Sequence, residues 1–448
     1  MIDKHTALAR CQDLVALAQG MGADSADAVA RASSSESVGI RLGLLEDVER
    51  SESEEIGLRV FVGRRSASIN TSDFAPEGLR ELASRAVQMA RHAPEDRHAG
   101  LAPADALFAG DLPELELDDP SRPSPETLRE AALATEDAAR AVEGVTNSNG
   151  ASASASRAVV ALVTSNGFAR SYAGSGFALS ASVIAGEAGA LQTDHASRSA
   201  RYLADLPAPA EVGTEAGRRA VARLHPVSMP SARLPVVFDP RIGAGLVGHL
   251  LGAMSGPAIA RKASFLLDLA EEPLFDSAIR IVENPLQVRG QRSRPFDGEG
   301  VPCTQRTLVE NGRIFGWFTN VAAADQLGLL LTGHASRSGG GSPGVSASNV
   351  HLEGGTLTPQ QLMEDIEDGL YVTALFGQGV NTITGDYSRG ATGFRIRGGE
   401  IAEPVAEITI AGTLPDMFRA LTPADDLEMI RSVNVPTLRV DGMMVAGE

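Results

Sequence analysis

The amino-acid sequence predicts an α+β fold in two domains, and three observations support this. Apolar and polar residues alternate over short runs that tight turns connect, which is typical of antiparallel strands. Segments with helical spacing are segregated from these runs and do not alternate with them strictly. A break rich in Pro and Ser at 226–233 divides the 448 residues. We therefore expect an N-terminal domain of helices and antiparallel sheet at 1–225, and a strand-rich C-terminal domain with a glycine-faced helix at 233–448.

The N-terminal domain is expected to begin with a helix and continue into strands. Leu8, Cys11 and Val15 recur at helical spacing, and Gly20 ends this segment. We interpret the acidic stretch at 46–55 as a solvated strand edge or loop, because runs of like charge avoid burial. The other expected elements are a helix at 7–21, strands at 38–42, 56–62 and 67–69, helices at 77–91 and 124–141 around a long connection at 103–123, strands within 145–185 that turn at Asn166-Gly167, and a helix at 211–224.

The C-terminal domain is expected to consist mainly of hairpins. Glu310-Asn-Gly312 and Gly398-Gly399 have the composition of hairpin turns. The expected elements are a strand at 234–238, a helix after Asp239-Pro240, strands at 279–282, 305–309, 313–319 and 345–352, a hairpin from 393–397 into 401–410, and two last strands that turn at Asp441-Gly442.

Composition excludes several classes of function. The chain has 39 Lys+Arg and 57 Asp+Glu, a formal net charge of −18, which argues against a nucleic-acid surface or a polybasic membrane anchor. No apolar run is long enough for a transmembrane helix, and the N-terminus lacks the pattern of a signal peptide. Cys11 and Cys303 are the two cysteines, too few for a disulfide framework or a Cys-based zinc cluster. We expect a soluble, cytoplasmic protein.

The helix at 243–256 has glycine on one face. At about 100° per residue, an apolar arc contains Leu246, Val247, Leu250, Leu251 and Met254. The opposite arc contains Gly245, Gly248, Gly252 and Gly256, with His249 beside them. Each interior glycine costs about 1 kcal/mol of helix stability, so another backbone is expected to approach this face. Tight packing within the chain and a cleft or subunit interface are both consistent with the pattern.

Two glycine-rich segments are candidates for binding. Asp386, Tyr387, Ser388 and Arg389 follow the segment Gly377–Asn381, and they could orient a ligand or form a turn with one internal ion pair. Gly339–Gly344 matches G-x-G-x-x-G, but a strand is expected after it where a nucleotide site needs a helix. We therefore interpret Gly339–Gly344 as a flexible loop. If this loop has a function, we expect it to be a mobile lid beside a binding cleft.

Local motifs for metal or nucleophilic catalysis are absent from the sequence. The eight histidines are scattered, with no H-E-x-x-H pair, and no G-x-S-x-G elbow occurs. Cys303 is interpreted as a small buried strand residue, because free cysteines are usually buried and inert. A metal-independent hydrolase that uses Cys303 or a serine would have to be found by reactive-probe labelling.

Several motifs, in order along most of the chain, resemble the TldD/PmbA family and within it the PmbA/TldE branch. They are Gly57-Leu-Arg-Val-Phe-Val-Gly63, His249-Leu-Leu-Gly-Ala-Met-Ser-Gly256, Gly377-Gln-Gly-Val-Asn381, Thr384-Gly-Asp-Tyr-Ser-Arg-Gly-Ala391, Gly393-Phe394, Pro404-Val-Ala-Glu-Ile-Thr-Ile-Ala-Gly412 and Pro436-Thr-Leu438. The resemblance implies a two-domain α+β protein. In the TldD branch, it implies an H-E-x-x-x-H helix and a C-terminal Cys that bind zinc, with the Glu activating the zinc-bound water.

The resemblance also implies a partner and a substrate. TldD and TldE form a heterodimer that degrades unstructured peptides and trims modified leader peptides. An older view connects the family with DNA gyrase, but a direct DNA activity agrees poorly with the net charge of −18.

This sequence departs from the zinc-binding pattern that the resemblance implies. His249 matches the first histidine, but Leu250 replaces the Glu, Met254 replaces the second histidine, and 425–435 has no Cys. A thioether is a poor zinc ligand. We therefore expect no metal and no catalytic residue in this chain, with zinc in a TldD-like partner.

In this hypothesis the chain is the non-metal subunit of a heterodimeric metallopeptidase and holds a peptide as an added strand. The residues expected to form the substrate or partner cleft are Gly377, Gln378, Gly379, Asn381, Asp386, Tyr387, Ser388 and Arg389, with the Gly339–Gly344 loop as a further contributor. The alternative is a non-catalytic peptide-binding or regulatory protein that acts as a homodimer.

Overall fold

The computed structural model of the protein describes residues 1–187 and 189–447. It has the α+β architecture that the sequence predicts. The described residues form these α-helices: α1 (Lys4–Gly20), α2 (Pro76–His92), α3 (Pro125–Arg140), α4 (Pro209–Ala222), α5 (Pro240–Ala253), α6 (Gly256–Ala260), α7 (Val321–Leu327), α8 (Pro359–Met363) and α9 (Leu414–Arg419).

The N-terminal half is built on one antiparallel sheet with helices on one face. Its strands are β1 (Ser25–Arg41), β2 (Leu44–Val62), β3 (Arg65–Thr71), β4 (Val145–Thr164), β5 (Ala169–Ala185) and β6 (Gln192–Ala200), in the order β3-β2-β1-β4-β5-β6. Because side chains alternate along a strand, Ala28 and Ala30 of β1 pack against α1 and α2. Val29 faces the opposite side and packs with Phe168 and Phe296. The sheet is therefore a middle layer between the four N-terminal helices and C-terminal segments.

The acidic stretch lies on a strand edge. β2 pairs with β1 along its whole length, whereas β3 pairs only with Ile56–Val62. Residues 44–53 of β2 are exposed, so their carboxylates are solvated and one side of the strand backbone is free. The solvated-edge interpretation of 46–55 is confirmed for 46–53, whereas Glu54 and Glu55 are half-buried. Charged side chains on such an edge oppose unintended pairing with another chain.

The C-terminal half contains a closed barrel and two smaller sheets. The barrel strands are β7 (Ala232–Phe238), β14 (Asp368–Phe376), β15 (Asp386–Arg397), β16 (Glu400–Thr413) and β19 (Leu438–Ala446). Their order is β16-β15-β14-β7-β19, and a pairing between β16 and β19 closes the ring, with β17 (Leu421–Pro423) added to β19. The smaller sheets contain β8 (Ile281–Glu283), β9 (Arg306–Glu310), β10 (Arg313–Ile314), β13 (Val350–Leu352) and β18 (Val433–Asn434), and separately the pair β11 (Ala335–Ser336) and β12 (Gly344–Val345).

The predicted hairpin at Asp441-Gly442 is wrong. The structure has one strand, β19, that continues through these residues. The register of β19 against β7 shifts between Val440 and Met443, which is a β-bulge. A left-handed glycine suits a bulge as well as a turn, and Gly442 has a φ of 78°. The sequence therefore correctly indicated a left-handed glycine at this position, but pairing with β7 made it a bulge instead of a hairpin turn.

Two other strands are shorter than predicted. Of residues 313–319, only Arg313–Ile314 pair as a strand. Residues 345–352 are divided between β12 and β13. Between these two strands, the backbone N–H and the hydroxyl of Ser348 both bind the buried carboxylate of Glu283. At Ser348 the Glu283 carboxylate accepts the backbone hydrogen bond that a neighbouring strand would accept in a continuous strand.

The strands of the first sheet all come before the Pro- and Ser-rich break, and those of the barrel begin at its end, with β7 at Ala232. The division into 1–225 and 233–448 stays a prediction. No helix of the described ranges has both the length and the apolar character needed to cross a membrane.

Candidate functional site

The glycine-faced helix α5 is anchored at its start and along one side. The side chain of Asp239 accepts a hydrogen bond from the Arg241 N–H, and Pro240 occupies the first turn, both typical of helix starts. Leu246 and Leu250 are buried with Val236 of β7 in the main C-terminal core. Burial of this apolar arc fixes which way the glycine arc points.

The glycine arc is open over most of its length. An ideal Cβ built on Gly245, Gly248 or Gly252 would meet no atom within 4 Å, whereas one on Gly256 would lie 2.5 Å from the carbonyl oxygen of Phe318. Tight packing within the chain is therefore wrong for the first three glycines and correct for Gly256. The predicted helix at 243–256 is wrong at its end, because α5 stops at Ala253 and Gly256 begins α6. The alternative of a cleft or subunit interface stays a prediction for the open part, which we call the glycine face (Gly245, Gly248 and Gly252).

His249 lies beside the glycine face and next to the 377–389 segment. Its ring meets that of Tyr387 edge to face, with centroids 6.1 Å apart. Burial, and then the charge of Arg389, lowers the pKa of His249. Among the described residues the imidazole has no hydrogen-bond partner, so it is not the satisfied structural histidine that close packing implies. The chain thus brings His249, Tyr387 and Arg389 together, although about 140 residues separate them in sequence.

The residues around His249 do not fit a zinc ion. Leu250 and Met254 are fully buried in the apolar core, and the nearby charge is the cation of Arg389. In the described part of the chain, no group of three or more His, Cys, Asp or Glu side chains is arranged to hold a metal ion. Zinc sites in proteins take three or four such ligands, so a single imidazole near a guanidinium does not make one.

The predicted cleft residues form a loop and the start of a strand. Gly377, Gln378, Gly379 and Asn381 belong to the exposed connection between β14 and β15. The backbone N–H of Ser388 donates to the Gly379 oxygen at 2.7 Å, and Arg389 donates to the Phe376 oxygen at 3.1 Å.

Asp386, Tyr387, Ser388 and Arg389 are the first residues of β15, so the predicted turn with an internal ion pair is wrong. Successive strand residues face opposite sides, which buries Tyr387 and exposes Asp386 and Ser388. Burial raises the pKa of Tyr387 to about 12, and its hydroxyl has no partner among the described residues.

The Gly339–Gly344 loop lies against the N-terminal sheet. A Cβ on Gly57 of β2 would come 1.6 Å from the Gly339 carbonyl oxygen, and one on Gly340 would come 2.3 Å from the amide oxygen of Asn70. The loop is therefore held by close backbone contact, and its function as a lid stays a prediction. Together with neighbouring segments it lines a cavity that sequence reasoning missed.

This second feature is a cavity of about 720 Å³ between the open face of the first sheet and the C-terminal segments 292–298 and 335–347. Five arginines line it, Arg31, Arg201, Arg292, Arg294 and Arg337, against two carboxyl groups, Glu55 and Asp297. These arginines are dispersed along the chain, so no local sequence motif predicts that they lie together. The run Arg289-Gly-Gln-Arg-Ser-Arg294, with three arginines, was the one local signal.

A buried ionic network connects the two halves beneath this cavity. Arg59 binds Asp27 at 2.9 and 2.5 Å and Glu299 at 3.2 Å, and Arg337 forms a further ion pair with Asp27. Burial alone would raise the pKa of Asp27, but Arg337 and Arg59 hold it below its usual value. Asp27 and Arg59 come from the first sheet, and Glu299 and Arg337 come from the C-terminal half. The network therefore ties the halves together.

Asp297 is a further buried carboxyl group, and it lines the cavity. Burial, and then the charge of Glu299, raises the pKa of Asp297 to about 7. Its carboxyl oxygens accept from the backbone N–H groups of Glu299, Val301 and Ala335. Asp297 is thus partly neutral near pH 7 and cancels less of the arginine charge around the cavity.

Family models match three consecutive parts of the chain. They are the PmbA/TldA metallopeptidase domain 1 at residues 26–90, the central domain at 118–224 and the C-terminal domain at 231–447. The metalloprotease PmbA of Escherichia coli O157:H7 is 36% identical over 427 residues, which cover 95% of this chain and 93% of that protein.

Solved structures share the fold. A proposed modulator of DNA gyrase from Bacteroides thetaiotaomicron superposes with a TM-score of 0.91 at 24% identity, covering 100% of both chains. TldE from Thermococcus kodakarensis superposes with a TM-score of 0.85 at 20% identity, covering 98% of this chain and 100% of that chain. At these identities the likeness concerns the fold alone.

Proposed function

Because the chain belongs to the PmbA/TldD metallopeptidase family, we propose that it is the subunit of a heterodimeric metallopeptidase that contributes no zinc ligand. Zinc and the general base then belong to a TldD-like partner. The observation that carries this proposal is the set of residues around His249. The positions one and five residues after it are the buried Leu250 and Met254, and its charged neighbour is a cation.

The glycine face is the surface that we assign to the partner. It is exposed, its glycines have no side chains to hold another helix away, and a Cβ on any of the three would meet no atom within 4 Å in the described part of the chain beyond its own helix. Backbones approach closely where glycine replaces larger residues. His249 lies beside this face, so a partner helix there would be next to the 377–389 segment.

The substrate in this proposal is an unstructured peptide or a modified leader peptide. Extended peptides bind without strict sequence demands when they pair with a strand through main-chain hydrogen bonds. Gln378, Asn381, Asp386 and Ser388 are exposed around the start of β15. Because β16 and the 379–381 segment already pair with both edges of β15 there, these residues offer side-chain polar groups, and not a free strand edge, to such a peptide. The proposed compartment is the cytoplasm, where the two buried free thiols would stay reduced.

Co-purification with a relative that carries the complete H-E-x-x-x-H sequence tests the proposal. We expect the mixture, but not this chain alone, to contain zinc by elemental analysis and to cleave an unstructured fluorogenic peptide. The proposal would be refuted if the chain alone cleaved the peptide in a zinc-dependent way and the His249→Ala variant had lost this activity. Peptide binding without turnover by a stable homodimer, with no association with the relative, would favour the regulatory alternative.

A matched pair of variants tests the glycine face. Gly248→Arg is expected to leave the isolated chain folded, because outside its own helix no described residue comes within 4 Å of a Cβ built at that position, and to abolish association with the relative. Gly20→Arg is the control, since Gly20 lies in α1 with equally open surroundings. Equal association of both variants would remove this face from the interface.

A further inference from the structure

We propose that the arginine-lined cavity between the first sheet and the C-terminal segments is a binding site for an oxyanion, a carboxylate or a phosphate, carried on an apolar or aromatic body. This inference stands on the isolated chain and needs neither the partner subunit nor the proposed peptidase function.

The first argument is the charge that remains without counter-charge. Arg31, Arg201, Arg292 and Arg294 line the cavity, and none of the four has a carboxylate within 4.0 Å among the described residues, which contain the ion pairs of many other arginines. In a chain of net charge −18, five arginines that line one cavity with only two carboxyl groups, Glu55 and Asp297, are unexpected unless they bind an anion. A free guanidinium is suited to bidentate binding of carboxylate or phosphate.

The second argument is that backbone carbonyls fix some of these cations in place without neutralising them. Arg201 donates to the carbonyl oxygens of Gly290, Ser175 and Gln291 at 3.3, 3.0 and 2.6 Å. Arg294 donates to the Ser346 carbonyl at 2.6 Å. Carbonyl partners satisfy donors but carry no net charge, so the positive potential remains. Arginines held in this way are preorganised, which lowers the entropic cost of binding an anion.

The third argument is the set of nitrogen donors without acceptors. Nε of Arg294, and Nε and Nη2 of Arg337, are buried and have no hydrogen-bond partner among the described residues. Arg337 is 3% exposed and lines the cavity. Buried donors of charged groups are rarely left unpaired, because desolvation without a hydrogen bond is costly. These nitrogens have almost no exposed surface, and the side chain of Arg337 is fully buried, so a ligand in the cavity does not bind them directly. They contribute positive charge behind the cavity wall, where an anion in the cavity would be attracted.

The fourth argument concerns the body of the ligand. The wall of the cavity that the first sheet provides includes Val29, Leu162 and Tyr172, and Phe296 faces them from the C-terminal half. The Tyr172 and Phe296 rings meet edge to face with centroids 5.4 Å apart. A cavity of about 720 Å³ is in the size range of small-molecule sites, which combine apolar walls with a few polar groups. The ligand therefore combines an anionic head with an apolar or aromatic part.

Calorimetric titration of the full chain tests the proposal with four probes. N-acetyl-leucyl-phenylalanine carries a free carboxylate, and its C-terminal amide is the neutral counterpart. Phenyl phosphate carries the other oxyanion, and phenol is its neutral counterpart. We expect at least one anion to bind. Its neutral counterpart should bind at least about tenfold more weakly, because it cannot form a charge-assisted hydrogen bond, and added NaCl should weaken binding of the anion. The anion that binds identifies the source of the oxyanion.

Two substitutions locate the binding. Arg292→Gln and Arg31→Gln remove exposed cavity arginines that form no ion pair among the described residues. Each substitution is expected to weaken binding of the anion by about tenfold or more. Arg80→Gln is the control, because Arg80 is an exposed arginine of α2, on the other face of the sheet. Circular dichroism confirms that each variant is folded.

Three results would overturn the proposal. One is that neither anion binds at millimolar concentration. The second is that the neutral probes bind as tightly as the anions. The third is that both cavity variants bind as tightly as Arg80→Gln.

Discussion

Gly57 of β2 and Gly339 of the loop between β11 and β12 lie in direct backbone contact. A Cβ on Gly57 would be 1.6 Å from the Gly339 carbonyl oxygen, so no other residue fits at 57 unless the loop moves. This contact joins the first sheet to a C-terminal loop, and Gly339 is one of the residues that line the arginine-lined cavity. Glycine at position 57 is thus required by the neighbour across the contact and not by its own strand.

Gly57→Ala is expected to destabilise the chain, because the added methyl must displace backbone. Overpacking typically costs about 1–3 kcal/mol, and urea unfolding measures it. Gly100→Ala is the control, since a Cβ on Gly100 meets nothing within 4 Å. Faster proteolysis within 337–344 in the Gly57 variant would show that the loop had moved. Equal unfolding free energies and equal proteolysis for the two variants would contradict the contact.

Arg337→Met is expected to lower the free energy of unfolding by about 3 kcal/mol, at the lower end for a broken buried ion pair. The side chain of Arg337 is fully buried against Asp27, and its removal leaves that carboxylate with Arg59 alone. Arg80→Met, an exposed change with no ion pair to lose in the described residues, should stay within about 0.5 kcal/mol of the parent. If Arg337→Met is as stable as Arg80→Met in the same urea series, the Arg337–Asp27 ion pair does not stabilise the folded chain.

The pH dependence of stability is expected to carry a contribution from Asp297. Its pKa is raised to about 7 in the folded chain, above the value of about 3.9 expected in the unfolded chain. The folded state therefore holds this proton more tightly. The stabilising contribution is full below the unfolded pKa and is lost as pH rises through the folded pKa. The Asp297 contribution to unfolding free energy should fall between about pH 4 and pH 7.

Asp297→Asn is expected to flatten this pH dependence. The variant also loses the acceptor for the Ala335 N–H, which lowers stability by a similar amount at every pH. Urea unfolding at pH 5, 6, 7 and 8 separates the slope from this constant offset. The same slope in both proteins would show that Asp297 titrates normally.

Gly248→Ala and Gly256→Ala are expected to change stability in opposite directions. Alanine is favoured over glycine by about 1 kcal/mol inside a helix, and a Cβ on Gly248 meets nothing, so that variant should be more stable. A Cβ on Gly256 would lie 2.5 Å from the Phe318 oxygen, which should cost about 1–3 kcal/mol. Thermal unfolding of both variants checks the signs. A stabilised Gly256→Ala would mean that the contact with Phe318 is looser than the structure gives.

Local patterns of the sequence predicted helices better than strands. Helices α2, α3 and α4 lie within two residues of the expected bounds, because amphipathic periodicity and Pro at the first turn are local signals. The first strand begins at Ser25 instead of 38. Its early residues are mostly Ala and Ser, and residues 28–32 pair with the apolar run Val159–Val163 of β4. Such small residues carry little alternation, so long-range pairing decided their structure.

The sequence by itself determined the α+β class, the family, the acidic character and the residues at the positions of the zinc motif, because these depend on residue types and their spacing. Only the tertiary structure decided that the glycine face is open, that Tyr387 contacts His249 and that Arg31, Arg201, Arg292 and Arg337 line one cavity. The physical reason is that a cavity or contact is formed by side chains that folding brings together from distant segments. Spacing along the chain does not encode that proximity.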